Sequence, residues 1–217
     1  MAASLTIVGL NHRSAPAEWR ERFALVEAGQ DALADELGGG MLLATCDRIE
    51  VITSGGETRA LAPLLARRHI VAVFTRPAQR AAKTAALAGL AHAKPDPDLW
   101  EWDYGGYEGL TTTQIRKTRP GWYLWRDGVT PGDAEHPGET VEQVGERADQ
   151  VLGRVTPLLA DGDVALVAHG HMLRVLTARY LRLEPTAGRM FRLDTGTVSK
   201  LGAEHAEPVI MSWNVQP

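Results

Sequence analysis

Apolar residues along this chain fall into two rhythms. Short unbroken runs read as strands: SLTIVGL (4–10), MLLAT (41–45), RIEVITS (48–54), HIVAVFT (69–75) and VALVAH (164–169). HIVAVFT and VALVAH are apolar on both faces, as strands inside a parallel sheet are. Helical rhythm marks PAEWRERFAL, with Pro16 near its start, EAGQDALADELGGG, ETRALAPLLARR, PAQRAAKTAALAGL, TTTQIRK, TVEQVGERADQVLGRVTPLLA and the residues after His169. The Gly38–Gly40 run stops the second of these. Two loops rich in Pro, Gly, Asp and aromatics separate helices: AKPDPDLWEWDYGGYEGL and RPGWYLWRDGVTPGDAEHPGE. The end of the chain reads as a hairpin turning at Gly202-Ala203-Glu204. From about Thr58 to Arg174 the order is helix, strand, helix, loops, helix, strand, helix. That order predicts an α/β fold with a mainly parallel sheet and helices on both faces.

In such a sheet ligands bind beyond the carboxyl ends of the strands. His169 ends VALVAH, and Gly170 opens the next helix, whose N–H groups favour an anion. A histidine there is a candidate base, nucleophile or hydrogen-bond donor. Arg80 lies in the first turns of the helix after HIVAVFT and can fork onto phosphate oxygens. Glu101 lies between Trp100 and Trp102, where partial desolvation suits a general acid.

Composition narrows the class. The 217 residues carry a formal charge of −4 and are 44% hydrophobic, ordinary for one globular α/β domain. Mild acidity speaks against general nucleic-acid binding, and no apolar run suits a membrane span. The single cysteine, Cys46, excludes an internal disulfide. With no secretory signal pattern at the start, a cytoplasmic location is expected.

FTRPAQRAAKTAALAGL, LWEWDYGGYEGLTTTQIRK, PGETVEQVGERAD, VALVAHGHMLRVL and LDTGTVSKLG…EPVIMSWN follow one another in the order of the histidine phosphatase superfamily. They resemble its phosphoglycerate-mutase-like acid phosphatases. The resemblance implies that Arg80 is the second phosphate-binding arginine, Glu101 the proton donor and His169 the second active-site histidine. It also implies that neither a metal nor an organic cofactor takes part. Two departures stand out. Arg76-Pro77 replaces the family's usual Ser-Pro, bringing a bulky cation toward the phosphate pocket. The Arg-His-Gly triplet of the family's first strand, which supplies the nucleophilic histidine and a phosphate-gripping arginine, does not occur in the chain. His69 begins a strand and so belongs to the wrong end of the sheet.

The front of the chain resembles a second family. IVGLNHRSAPAEWRERFAL and LLATCDRIEVITSGG are similar to the catalytic domain of glutamyl-tRNA reductase. That likeness implies a vestigial nucleophile at Cys46, flanked by substrate-holding Thr45 and Arg48. Asp47 opposes thiolate formation there. The expected organisation is a reductase-like segment over 1–56 and a histidine-phosphatase-like domain over 57–217, its first strand replaced by a grafted βαβ-type segment. In one picture RIEVITS fills the lost slot and sets Gly55 and Gly56 where the triplet belongs, as phosphate binders. In the other, the first strand fills it and delivers His12 as nucleophile, with Arg13 beside it.

Three functions follow as expectations: an acid phosphatase, impaired or inactive for want of its histidine; a non-catalytic domain that retains anion binding; and a truncated reductase-like module. The expected partner is a small phosphorylated molecule or inorganic phosphate, with a homodimer admitted and no nucleic acid or membrane.

Overall fold

The computed structural model describes residues 5–10, 41–45, 48–52, 62–66, 68–77, 79–90, 92–194 and 196–216. Strands β1 (Leu5–Leu10), β2 (Met41–Thr45) and β3 (Arg48–Ile52) precede a short helix α1 (Ala62–Leu65), strand β4 (Ile70–Thr75) and helix α2 (Gln79–Leu87). A two-residue strand β5 (Lys94–Pro95) leads into the loop of Glu101. Helices α3 (Thr112–Thr118), α4 (Leu124–Asp127) and α5 (Val141–Val155) follow. Strand β6 (Asp163–His169), helix α6 (Gly170–Tyr180) and the hairpin β7 (Thr197–Glu204) and β8 (Glu207–Val215) complete the order. Among the described residues no helix is long and apolar enough to cross a membrane.

The main sheet has the order β5-β4-β6-β1-β7-β8. Pairing is parallel from β5 to β1 and antiparallel from β1 to β8. β6 lies between β4 and β1, and every residue from Val164 to His169 is buried. Its side chains alternate between two cores, as a pleated strand requires. Val164, Leu166 and Ala168 join Val144, Ala148 and Val151 of α5 and Leu173 and Leu176 of α6. Ala165 and Val167 pack on the other face with Leu65 of α1 and with Ala85 and Ala88 at α2. Helices therefore cover both faces, as the apolar rhythm predicts.

Local chemistry sets the helix starts. Thr140 Oγ1 accepts from Gln143 N at 3.3 Å, while Gln143 Oε1 accepts from Thr140 N at 2.8 Å. Thr111 and Gln114 form the same reciprocal cap on α3. Along α5, Val144, Ala148, Val151 and Val155 make a buried stripe at helical spacing.

Of the two pictures for the slot beside β6 the structure takes the second, and the first picture and the expected hairpin turn are corrected. The strand read from RIEVITS, β3, does not enter the main sheet: among the described residues it pairs only with β2, as a separate hairpin. The slot beside β6 is taken by β1, with Leu5 opposite Val164 and Leu10 opposite His169. The terminal hairpin turns at His205-Ala206, both at positive φ of 51° and 67°, the geometry that matches strand twist in a two-residue turn. Gly202, a turn signal in the sequence, is a ladder residue opposite Val209. The loop GWYLWRDG also contains a helix, α4. The expected helices over PAEWRERFAL and EAGQDALADELGGG lie outside the described residues.

Candidate active site

β4, β6 and β1 run parallel, so their carboxyl ends share one edge of the sheet. His169 stands there as the last residue of β6 and the N-cap of α6, 4% exposed. Arg76 follows directly on β4, and its backbone N–H donates to Val167 O at 3.4 Å. Its guanidinium, in a residue 6% exposed, lies 2.5 Å from His169 Nε2 through Nη1. The carbon at its centre sits 4.3 Å above the Trp100 ring. A guanidinium has only donors, so Nε2 is the acceptor side of this contact. The chain thus places a buried cation against the histidine that the sequence singled out.

Glu101 meets the same helix from the loop. Its Oε1 accepts from Met172 N at 2.9 Å and from Trp102 N at 2.9 Å, and its Oε2 accepts from His171 N at 3.2 Å. The bonds from His171 and Met172 satisfy amide groups that the first turn of a helix cannot satisfy itself. The carboxylate therefore fastens the start of α6, and with it His169, to the loop. Gly170 is the first residue of α6, and a Cβ added there would meet no atom within 4 Å. Among the described residues, packing does not demand glycine at that point.

The loop is held in turn by Arg147 of α5. Its Nε and Nη2 fork onto Glu139 at 2.7 Å each, and Nη1 donates to Asp98 O at 2.8 Å and Trp100 O at 2.9 Å. Trp102, 1% exposed, donates from its indole to Glu139 O at 2.9 Å. Gly105 has φ of 56°, and a Cβ there would lie 2.3 Å from Thr130 O. Only glycine lets the two loop segments approach so closely. Arg147 was one helix charge among several in the sequence, with no signal to mark it. Replacing it with alanine is expected to cost about 3 kcal/mol, because Glu139 loses its charged partner and keeps only the Asp103 N–H, in a pair with side chains only 18% and 20% exposed. Lysine should restore little, having no fork. Thermal unfolding of the two variants measures this, and an unchanged midpoint in R147A would contradict it.

His171, two residues past His169, serves another cavity. About 180 Å³ in volume, it is lined by Tyr104, Tyr107, Trp122, Trp125, His171 and Arg174 among others. The Tyr104 hydroxyl lies 2.5 Å from His171 Nδ1. Burial, and secondarily the Arg174 charge, pushes the His171 pKa down to about 3. An unfolded histidine takes up its proton near pH 6.5, whereas folded His171 stays neutral until about pH 3. Its contribution to stability is therefore fully present above pH 6.5 and is lost as pH falls through that window. Comparing thermal unfolding of the wild type and His171→Gln at pH 7.5 and 4.5 checks this. The variant is expected to lose less stability on acidification, and parallel losses would contradict the assignment. The His171 side chain keeps 27% exposure and has Glu101 Oε2 at 3.8 Å, so the effect is smaller than full burial would give.

The remaining sequence candidates divide. Arg80 is the second residue of α2, the helix that follows the carboxyl end of β4. His69 lies at the amino end of β4, where its carbonyl accepts from Asp163 N at 2.8 Å, so it is remote in the chain's own geometry from the site edge. Thr45 and Arg48 face each other at the closed end of the β2–β3 hairpin. Cys46 and Asp47 between them lie outside the described residues, as do His12, Arg13, Gly55 and Gly56. β3, which precedes Gly55 and Gly56 in the chain, lies outside the main sheet.

Comparison with known proteins gives two likenesses. Residues 54–216 match the histidine phosphatase superfamily (branch 1). Residues 8–94 match the N-terminal domain of glutamyl-tRNAGlu reductase. An acid phosphatase of Mycobacterium tuberculosis is 38% identical over 133 residues, covering 61% of this chain and 63% of that protein. A glutamyl-tRNA reductase of Thermus thermophilus is 48% identical over 76 residues, covering 32% of this chain and 19% of that one. The chain thus spans less than two thirds of either relative. The solved structure of the open reading frame Rv3214 from Mycobacterium tuberculosis superposes with a TM-score of 0.75 at 27% identity, covering 100% of this chain and 99% of that one.

Proposed function

The chain belongs to the histidine phosphatase superfamily, branch 1, and from that premise we propose that it is a phosphomonoester hydrolase acting on a small phosphorylated molecule, slowed by the loss of the Arg-His-Gly triplet. The observation that carries this reading is the register of β1 beside β6, with Leu10 opposite His169. β1 thus ends at the edge where His169 stands. His12 comes two residues later in the sequence, with Arg13 next, and we assign His12 as the surrogate nucleophile. Attack of its ring nitrogen on phosphorus would break the ester P–O bond. Glu101 would give the departing alcohol its proton, and water would then release inorganic phosphate. His169 and Arg80 would donate to the phosphoryl oxygens through these steps. No metal or organic cofactor enters the scheme, and the cytoplasm is its proposed setting. Residues 1–56 and 57–217 are proposed to descend from two families joined near Gly55, with Thr45, Cys46 and Arg48 kept as a vestige.

The test is turnover of p-nitrophenyl phosphate at mildly acidic pH by the full chain. Release of phosphate above the buffer rate is expected, and a rate equal to buffer would sink the hydrolase. One observation favours a second reading, phosphate binding without turnover: Arg76 already engages His169 Nε2. That reading predicts bound phosphate and no hydrolysis.

A further inference from the structure

We propose that the aromatic cavity beside Glu101 binds the alcohol half of the substrate, and that it takes a single aromatic ring carrying a carboxylate, which Arg174 holds. The proposal rests on the phosphomonoester reading above and names the substrate class for the same site. It starts from continuity. The His171 backbone N–H donates to Glu101 Oε2 at 3.2 Å, and the same oxygen lies 3.8 Å from His171 Nδ1. One side chain thus separates the carboxyl group that protonates the leaving alcohol in that reading from the cavity that His171 lines.

The walls are set before any ligand arrives. The Trp102 and Trp125 rings meet edge to face with centroids 5.4 Å apart, and those of Tyr107 and Trp122 at 5.3 Å. The Trp122 indole donates to Gly128 O at 2.9 Å. A Cβ on Gly188 would lie 2.7 Å from the Trp125 ring, so glycine lets that wall pack closely. The volume of about 180 Å³ suits one ring with a small substituent, since about 150 Å³ is enough for benzene. Aromatic walls favour a flat ring through edge and face contacts. Tyr123 is 40% exposed, so the cavity is open to solvent on that side.

Arg174 supplies the polar half. Its guanidinium carbon lies 4.8 Å over the Trp125 ring. Nε and Nη2 donate to Gly188 O and Arg189 O at 3.0 Å each. Both acceptors are neutral carbonyls. Burial lowers the Arg174 pKa from the ordinary arginine value, opposed by Tyr123, Glu101 and Tyr104. His171, neutral down to about pH 3, adds no second charge. A cation partly stripped of water and bonded to carbonyls gains from an anion. Apolar walls with one placed charge are the usual make-up of a small-molecule site. As a brace alone, Arg174 would tie residues 188–189 to α6, and its removal would change stability without changing ligand preference.

The experiment titrates the full chain with 4-hydroxybenzoate and with phenol, reading tryptophan fluorescence and calorimetry, independent of turnover. The wild type is expected to bind 4-hydroxybenzoate at least about 10-fold tighter than phenol, the scale of a hydrogen bond to a charged group. Arg174→Met should abolish that preference and keep the phenol affinity, and Arg174→Lys should retain part of it. Thr112→Phe adds bulk to the wall at the first residue of α3. It should weaken both ligands by about 10-fold or more and leave the affinity for inorganic phosphate unchanged. The ratio of kcat/KM for 4-carboxyphenyl phosphate over phenyl phosphate should follow the same order.

Equal affinities in the wild type, or a preference that survives R174M, would overturn the cavity assignment. Turnover of p-nitrophenyl phosphate, and with it the phosphomonoester reading, would stand in that case. Preferred binding of 4-hydroxybenzoate with no hydrolysis of any aryl phosphate would overturn the substrate role and the phosphomonoester reading together. Should R174M fail to fold, R174K and T112F carry the decision: affinity for 4-hydroxybenzoate unmoved in T112F would overturn the proposal.

Discussion

Replacing His169 with alanine is expected to lower hydrolysis of p-nitrophenyl phosphate by at least about 100-fold, the scale of losing a preorganised donor to a developing charge. His169 ends β6 and is paired with Leu10 in the β1 ladder, and its ring touches Arg76, the residue after β4. The cost in stability should be modest, about 1–3 kcal/mol, because one buried guanidinium donor loses that acceptor. Steady-state kinetics and thermal unfolding, run on the same preparation, separate the two effects. Retained turnover in a folded His169→Ala would remove the histidine from the chemistry.

Glu101 carries the second large effect, and two substitutions divide its two duties. Alanine removes the acceptors of three backbone N–H groups, two of them in the first turn of α6. A loss of about 3 kcal/mol is expected, allowing for water reaching part of the gap. Turnover should fall with it, because His169 caps that same helix. Glutamine keeps one carbonyl oxygen for the Oε1 contacts to Trp102 and Met172 but has no proton to give. Glu101→Gln is therefore expected to unfold within about 1 kcal/mol of the wild type and to lose about 100-fold or more in kcat, the range for a general acid. Equal kcat in the wild type and E101Q would reduce Glu101 to an anchor for the helix.

What the sequence made legible was whatever short-range chemistry determines. The buried run of β6 and the helices that begin after Thr111 and Thr140 depend on neighbours a few residues away, and all stand where the pattern put them. The choice of strand beside β6 was different. RIEVITS, Gly55-Gly56 and HIVAVFT make a plausible local βαβ unit, yet β1 takes the slot from the far end of the chain. Strand spacing constrains a turn; it does not identify a partner most of the chain away.

The site divides along the same line. His169 and Glu101 were visible as residue types in telling positions, but their partnership through the amides of α6 spans 70 residues. Arg76 stood out in the sequence only as a departure from Ser-Pro. Its contact with His169 joins residues 93 apart and depends on β4 and β6 being neighbours. Arg147 left no trace, because a charge on an amphipathic helix reads the same whether it faces water or braces a loop.

The central claim is that a histidine delivered by β1 accepts the phosphoryl group at the edge where His169 stands. Rapid acid-free quenching of the full chain with ³²P-labelled aryl phosphate, followed by peptide mapping, tests it most directly. The account predicts a base-stable, acid-labile phosphohistidine at His12 that His12→Ala abolishes. Hydrolysis that proceeds in His12→Ala at the wild-type rate, with no labelled histidine in either protein, would contradict it.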